Sequence, residues 1–416
     1  MRFPLVLSTL LLPLMLVGCQ SIIGPGRGTE PPLTQLPRQL SGAEQQIVQA
    51  SNSFAFGLLR EAASRDTASN VFLSPLSASM ALGMAMNGAR QETFEEMRTT
   101  LGFGAMSQAE INASYRSLTD LLLGLDSRVE MRIANSLWLR KGYPLRTEFV
   151  TTTRDYFNAE TRELDFNDPA SLGIINGWVH TSTNGRISKI LNEIDPDIVL
   201  YLMNAIYFKG TWTQQFDPRR THDAPFHRAD GSEQRVRMMS LPDARVRHFQ
   251  NAEVQVVDLP YSREAFSMTL VLPGHGRSLD QLVATLDDQR WSQWMERLHQ
   301  TSLDVHLPRF RMEYEKVLNE TLRALGMQRA FSEADADFSG ISSVPHDLFI
   351  HEVRQKTFLE VNEEGTEAAA VTSVGVGPTS APPSFRADRP FLLVIRERFS
   401  GTILFIGAIG APPAAG

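Results

Sequence analysis

The 416-residue sequence contains a single cysteine, Cys19. It can form no intramolecular disulfide, and the body that follows holds no thiolate nucleophile and no thiolate zinc site. No apolar run reaches the roughly 20 residues that a membrane-crossing helix needs. Charge of one sign is not concentrated either: 40 Lys and Arg stand against 47 Asp and Glu, net -7. No basic cluster of the kind that binds nucleic acid or heparin is visible. Arg235, Arg237, Arg245 and Arg247 come closest, and their alternation fits the solvated face of a strand. Local signatures of catalysis are missing as well. There is no G-x-S-x-G elbow. His351-Glu352 opens like a zinc-protease helix, but Gln355 stands where the second His is required. Gly24-Pro25-Gly26 and Gly274-His275-Gly276 lack the third glycine of a dinucleotide loop. The nine His are scattered. No metal, no cofactor and no enzymatic activity are expected. A surface hydrolase or adhesin would need an active site or ligand pocket, and the sequence reveals neither.

The N-terminus carries the first positive signal. Met1-Arg2 precede an apolar run from Phe3 to Val17, the length of a signal h-region. The run ends in Leu16-Val17-Gly18-Cys19, which resembles the lipobox of bacterial lipoproteins. There the chain is cut before the Cys and the thiol takes a diacylglycerol. Residues 1–18 are therefore expected to be a lipoprotein signal peptide and Cys19 a lipid anchor. Gln20, not Asp, follows, which resembles sorting to the outer membrane. Two or three acyl chains hold firmly where one is marginal. Residues 19–40 are rich in Gly and Pro and are expected to form a flexible spacer. Residues 41–412 show no further linker and no repeat, so one domain is expected.

Within that domain the first third has helical periodicity, at Glu44–Ala63, Ser77–Asn87, Glu92–Leu101 and Gln108–Leu125. Ser74-Pro75 is a plausible start for the second of these. Strand patterns follow at Met131–Arg140, Val199–Phe208, Val254–Leu259, Ser267–Leu272, Leu303–Leu307, Phe358–Val361, Phe391–Arg396 and Thr402–Ile406. Val199–Phe208 is nearly all apolar, as for a strand buried on both faces. Helices first and strands later predict an α+β fold, not a doubly wound one.

The most unusual stretch runs from Glu363 to Pro383 between two strong strands. A loop this long in a compact domain is usually functional or disordered. Its pattern favours function. Thr366, Ala368, Ala370, Thr372 and Val374 fall on one face of an extended chain, small and uncharged. Glu367, Ala369, Val371 and Ser373 fall on the other. No proline intervenes before Pro378, so each amide of the first half is free to join a ladder. The segment reads as a latent strand.

Glu363 to Thr372 resembles the reactive-loop hinge of the serpin family. Asn70-Val71-Phe72-Leu73-Ser74-Pro75-Leu76-Ser77 resembles the segment that opens that family's helix B, and Asn204-Ala205-Ile206-Tyr207-Phe208-Lys209-Gly210-Thr211-Trp212 its central strand. Ala336-Asp337-Phe338-Ser339-Gly340-Ile341 and Phe385-Arg386-Ala387-Asp388-Arg389-Pro390-Phe391 match further, in the family's order, over about residues 45 to 410. The resemblance implies three β-sheets, eight or nine helices and an exposed reactive loop at about 363–388.

It also implies a mechanism and sites. A serine protease attacks the loop and forms an acyl-enzyme. The freed hinge, Glu363, Gly365, Thr366, Glu367, Ala368, Ala369, Ala370 and Thr372, then enters the large sheet as a strand; loop insertion in serpins is itself a known instance of strand addition with release of stored strain. About 14 residues at roughly 3.3 Å each drag the protease about 45 Å. Its active site is distorted and deacylation stops. Counting from Thr366 places the scissile bond at Thr379-Ser380. Small, uncharged Thr379 suits elastase-like or subtilisin-like enzymes, with cysteine proteases a further class. A breach of Arg309, Trp212 and Glu363 and a shutter of Ser74, Ser77, Asn204 and Gln355 are implied too. Many serpins have His where Gln355 stands, so the shutter is expected to use an amide that does not titrate. The protein is expected to be a monomer at the cell envelope, periplasmic or surface-exposed, whose partners are its target proteases. The alternative is a non-inhibitory serpin acting as a surface binding protein.

Overall fold

The computed structural model describes residues 31–66, 69–344, 348–365 and 383–413. Helices come first. α1 (Gly42–Arg65) is fixed by a capping box: the Ser41 hydroxyl accepts the Glu44 N–H and the Glu44 carboxylate accepts the Ser41 N–H. After β1 (Asn70–Leu73), α2 (Pro75–Met86) starts on Ser74 with Pro75 at its first position. Every residue of α2 is buried, which is why it carries no charge. α3 (Gln91–Thr100) and α4 (Gln108–Gly124) complete the group whose periodicity the sequence displays.

The remaining order is β2 (Val129–Arg140), α5 (Thr147–Phe157), β3 (Glu160–Leu164), α6 (Ala170–Ser182), β4 (Leu200–Gly210), β5 (His222–His227), β6 (Glu233–Gln250), β7 (Val254–Tyr261), β8 (Phe266–Pro273), α7 (Leu279–Ala284), α8 (Asp288–Arg297), β9 (His299–Val317), α9 (Asn319–Ala324), β10 (Glu352–Val361), β11 (Ser384–Arg386), β12 (Phe391–Glu397) and β13 (Ile403–Ile409). α6 escapes a sequence reading because Gly173, Gly177 and several β-branched residues are poor helix formers. Ile175 and Val179 hold it by packing on Trp138 and Tyr201. β9 runs far beyond the expected Leu303–Leu307, since its second half alternates buried and exposed residues. Glu352 opens β10 and His351 immediately precedes it, so the pair is not on a helix.

Three sheets are joined through two long strands. β6 passes from a small sheet with β5, β9 and β11 into one with β7, β8, β12, β13 and β1. β9 passes from the small sheet into the third, ordered β3-β2-β4-β10-β9. Arg235, Arg237 and Arg245 are exposed on β6, as expected, but Arg247 is half-buried. It donates to Met295 O and Leu298 O at 3.3 Å, and burial holds its pKa below the usual range.

One boundary needs correction. Of the expected spacer 19–40, residues 32–40 have no helix or strand, but they belong to the body. The Leu33 N–H donates to Arg263 O at 2.7 Å, and Leu33, Leu36 and Leu40 pack on the core. Arg38 pairs with Glu44. Burial alone would raise the Glu44 carboxyl, but the bonds from Arg38 and Ser41 bring it down to about 2. Three leucines at spacings of three and four provide the apolar surface that a free linker would not need.

Candidate functional site

The third sheet has an unusual centre. β2–β4 and β10–β9 are antiparallel, but β4–β10, between them, is parallel. That parallel pairing runs from Glu352↔Tyr201 to Thr357↔Ile206 and stops. Beyond it, Phe358 to Val361 pair only with β9, and Tyr207 to Gly210 only with β2. The two central strands are thus laced at one end and parted at the other.

At the parted end the chain leaving β10 crosses to the end of β4. The Trp212 N–H donates to Glu364 O at 2.9 Å and the Phe216 N–H to Glu363 O at 2.8 Å. The Trp212 indole Nε1 donates to Asn362 O at 3.0 Å, and its ring stacks on Tyr261 with centroids 4.4 Å apart. Gly365 sits at φ +141°, where a Cβ would lie 2.2 Å from Gly210 O; only glycine fits. Buried Glu363 accepts from the Thr221 hydroxyl at 2.7 Å and faces Arg309 Nη1 at 3.3 Å. The breach residues Arg309, Trp212 and Glu363 are therefore together. Thr221 belongs with them, although nothing local in the sequence marks it.

At the laced end lies a buried polar network. Gln355 on β10 donates through Nε2 to Ser74 O at 2.9 Å and to Asn204 Oδ1 at 2.8 Å. Its Oε1 accepts the Ser74 N–H at 2.8 Å. The Asn204 amide donates to the Ser77 hydroxyl and, at 2.7 Å, to Asn135 Oδ1. Ser74 Oγ donates to Leu404 O at 2.7 Å and accepts no N–H from its own helix. The amide at 355 both donates and accepts, so a reciprocal pair with the Ser74 backbone forms with no titratable group. Ser74, Ser77, Asn204 and Gln355 are brought together; Asn135 joins them unannounced by any motif.

Front and back of this sheet differ. β4 turns Leu202, Ile206 and Phe208 into the large core, and Tyr201, Met203, Ala205 and Tyr207 into a second cluster with Ile175 and Val179 of α6. Downstream, β11 pairs in parallel with β9, Phe385 opposite Val305. Thr366, Glu367, Ala368, Ala369, Ala370, Thr372, Thr379 and Ser380 lie outside the described residues, and so does Cys19.

Residues 49–412 match the family model described as "Serpin (serine protease inhibitor)". The chain belongs to the serpin family. An uncharacterised serpin-like protein of Thermococcus kodakarensis is 34% identical over 388 residues, 92% of this chain and 89% of that protein. Iripin-8 of Ixodes ricinus is 34% identical over 388 residues, 90% and 95% of the two chains. Among solved structures, the thermophilic serpin tengpin in its native state has 31% identity and a TM-score of 0.82, covering 91% of this chain and 96% of its own. Thyroxine-binding globulin in complex with thyroxine has 29% identity and a TM-score of 0.81, covering 88% and 99%. Serpins are in general protease inhibitors and not catalysts. The nine α-helices among the described residues and the three joined sheets are this serpin's version of the expected fold.

Proposed function

We propose that this serpin is an inhibitory one, a suicide substrate of serine-type proteases held at the cell envelope by lipid on Cys19. The observation that carries the reading is the parallel β4–β10 pair, open at the end where the chain turns back. A strand that runs antiparallel to β10 is also antiparallel to β4. It would therefore ladder on both sides and make the centre of the sheet antiparallel throughout. The segment after Gly365 has the composition for that place: its even-numbered residues from Thr366 to Val374 are small or β-branched and uncharged.

The protease cuts at Thr379-Ser380, and the acyl-enzyme forms on the Thr379 carbonyl. Residues from Thr366 onward then enter between β4 and β10, and the protease is carried to the far end of the sheet. Thr379 directs the choice towards elastase-like or subtilisin-like enzymes. Cleavage before Cys19 and lipidation of its thiol leave the body at the outer membrane. The alternative is a non-inhibitory binding protein, since thyroxine-binding globulin carries a small ligand on a similar fold. Against it stands a hinge face with no bulky, charged or proline residue. The test is to mix the mature protein with elastase-like and subtilisin-like proteases. A covalent complex that survives SDS, with a cut after Thr379, is expected. Simple proteolysis by every enzyme, with no complex, would leave the binding reading.

A further inference from the structure

The chain leaves β10 through a turn whose first rung is already closed. Asn362 and Gly365 are antiparallel partners: the Asn362 N–H donates to Gly365 O at 3.0 Å and the Gly365 N–H to Asn362 O at 3.3 Å. The Asn362 side chain closes the turn from within. Its Oδ1 accepts the N–H of Glu364 and the N–H of Gly365, each at 3.1 Å. An Asn side chain that takes the amide two residues on stabilises a turn in this way. Only Glu363 and Glu364 lie between the partners, the loop length of a tight β-hairpin. Gly365 has a second antiparallel partner, Thr211, just past the end of β4. One residue is thus bridged to the ends of both central strands.

The two rungs agree on register. Five residues back from Asn362 lies Thr357, five back from Thr211 lies Ile206, and Thr357 and Ile206 are already Cα partners. A strand running on from Gly365 meets β10 and β4 at matching levels. The two strands have to part sideways but do not have to slide. A one-residue error would exchange the side chains sent to the two clusters on either face.

We infer that Asn362 is a positioning residue for strand insertion: its side chain prefolds the hairpin that sets the register. This rests on the insertion reading above. Asn362 touches neither protease nor scissile bond; it acts through Gly365. With the turn formed, insertion begins by adding a second rung to an existing one, and the loop-closing step is already complete. Without it the inserting chain has to find both the turn and the register while the acyl-enzyme is being hydrolysed.

Asn362→Leu removes both side-chain bonds, and Asn362→Asp keeps an oxygen at the accepting position. In the first experiment a protease that is not trapped nicks the chain between residues 366 and 382, and the gain in heat stability is followed in time. Asn362→Leu is expected to gain it about thirtyfold more slowly than wild type, the factor for two net hydrogen bonds lost from the insertion transition state. Asn362→Asp is expected to match wild type. In the second, a trapped protease is titrated. The stoichiometry of inhibition should rise in Asn362→Leu while the initial association rate holds, a split that a merely weakened fold does not give. Wild-type speed in Asn362→Leu, or equal slowing in both variants, overturns the role of the side chain. A wild-type chain that gains heat stability on nicking yet traps no protease defeats the inhibitor reading and leaves the Asn362 comparison standing. A wild-type chain that gains no stability on nicking overturns insertion, and the role of Asn362 with it.

Discussion

Replacing Glu363 by lysine should convert the native monomer into latent or polymeric material, and the surroundings of the carboxylate set the size of the effect. Glu363 is 5% exposed, accepts from Thr221 at 2.7 Å and faces Arg309 at 3.3 Å. The Arg309 side chain keeps 41% of its surface in water. The ion pair by itself is therefore worth about 0.5–1 kcal/mol, the range for a solvated pair, and not the value of a fully buried one. The Thr221 bond to a charged acceptor adds about 1.5–3 kcal/mol. Glu363→Gln keeps an acceptor for Thr221 and loses only charge, a cost of about 1 kcal/mol. Glu363→Lys loses both contacts and sets an ammonium in a buried site beside Arg309, a cost of about 3–5 kcal/mol. These contacts lie where the sheet is already parted, so opening breaks them early and the loss falls mainly on the native state. At about 1.4 kcal/mol per tenfold, Glu363→Gln should open about fivefold faster and Glu363→Lys more than about a hundredfold. The assay is incubation at mildly raised temperature, native gels for latent and polymeric forms, and residual inhibition. A monomeric, fully inhibitory Glu363→Lys, under conditions that begin to polymerise wild type, would refute the reasoning. So would a Glu363→Gln as damaged as the lysine variant, because the charge and the hydrogen bond could then not be separated as argued.

Thr366→Arg should turn the inhibitor into a substrate, because an arginine entering between Gly210 and Val361 would be buried without a partner; gel electrophoresis with a trapped protease decides it, and undiminished complex counts against insertion at this point. Cys19→Ala should release the protein from membranes or block its processing; a wild-type chain recovered wholly soluble and unlipidated in fractionation removes the anchor. Glu44, held at about 2, contributes stability that is present above the ordinary carboxylate pKa of about 4.3 and is lost as pH falls from there through about 2. Acid denaturation monitored across that window should therefore be shallower in Glu44→Gln, and an unchanged acid limb would mean that the Arg38–Glu44 contact does not stabilise the native state.

The sequence alone determined the local grammar of this chain. Apolar periodicity in the first third, with the Ser74-Pro75 start, marked α1, α2 and α4, because that pattern is complete in the sequence; the Ser41–Glu44 capping box is equally local, a contact between residues three apart. The alternation of small, uncharged residues from Thr366 to Val374 can be read as a latent strand without tertiary information, because side-chain period depends only on an extended backbone. What the sequence could not show is which distant residues share an environment. Thr221 reaches Glu363, and Asn135 reaches Asn204, only after the sheets have joined. α6 is a helix because tertiary packing outweighs its poor propensity. The docking of Leu33, Leu36 and Leu40 shortened an apparent spacer, since proline and glycine forbid regular structure without forbidding burial. Above all, only the structure decided that β4 and β10 run parallel, laced at one end and parted at the other. Strand direction and register are set by hydrogen bonds between segments some 150 residues apart in the chain, and no local pattern carries that information.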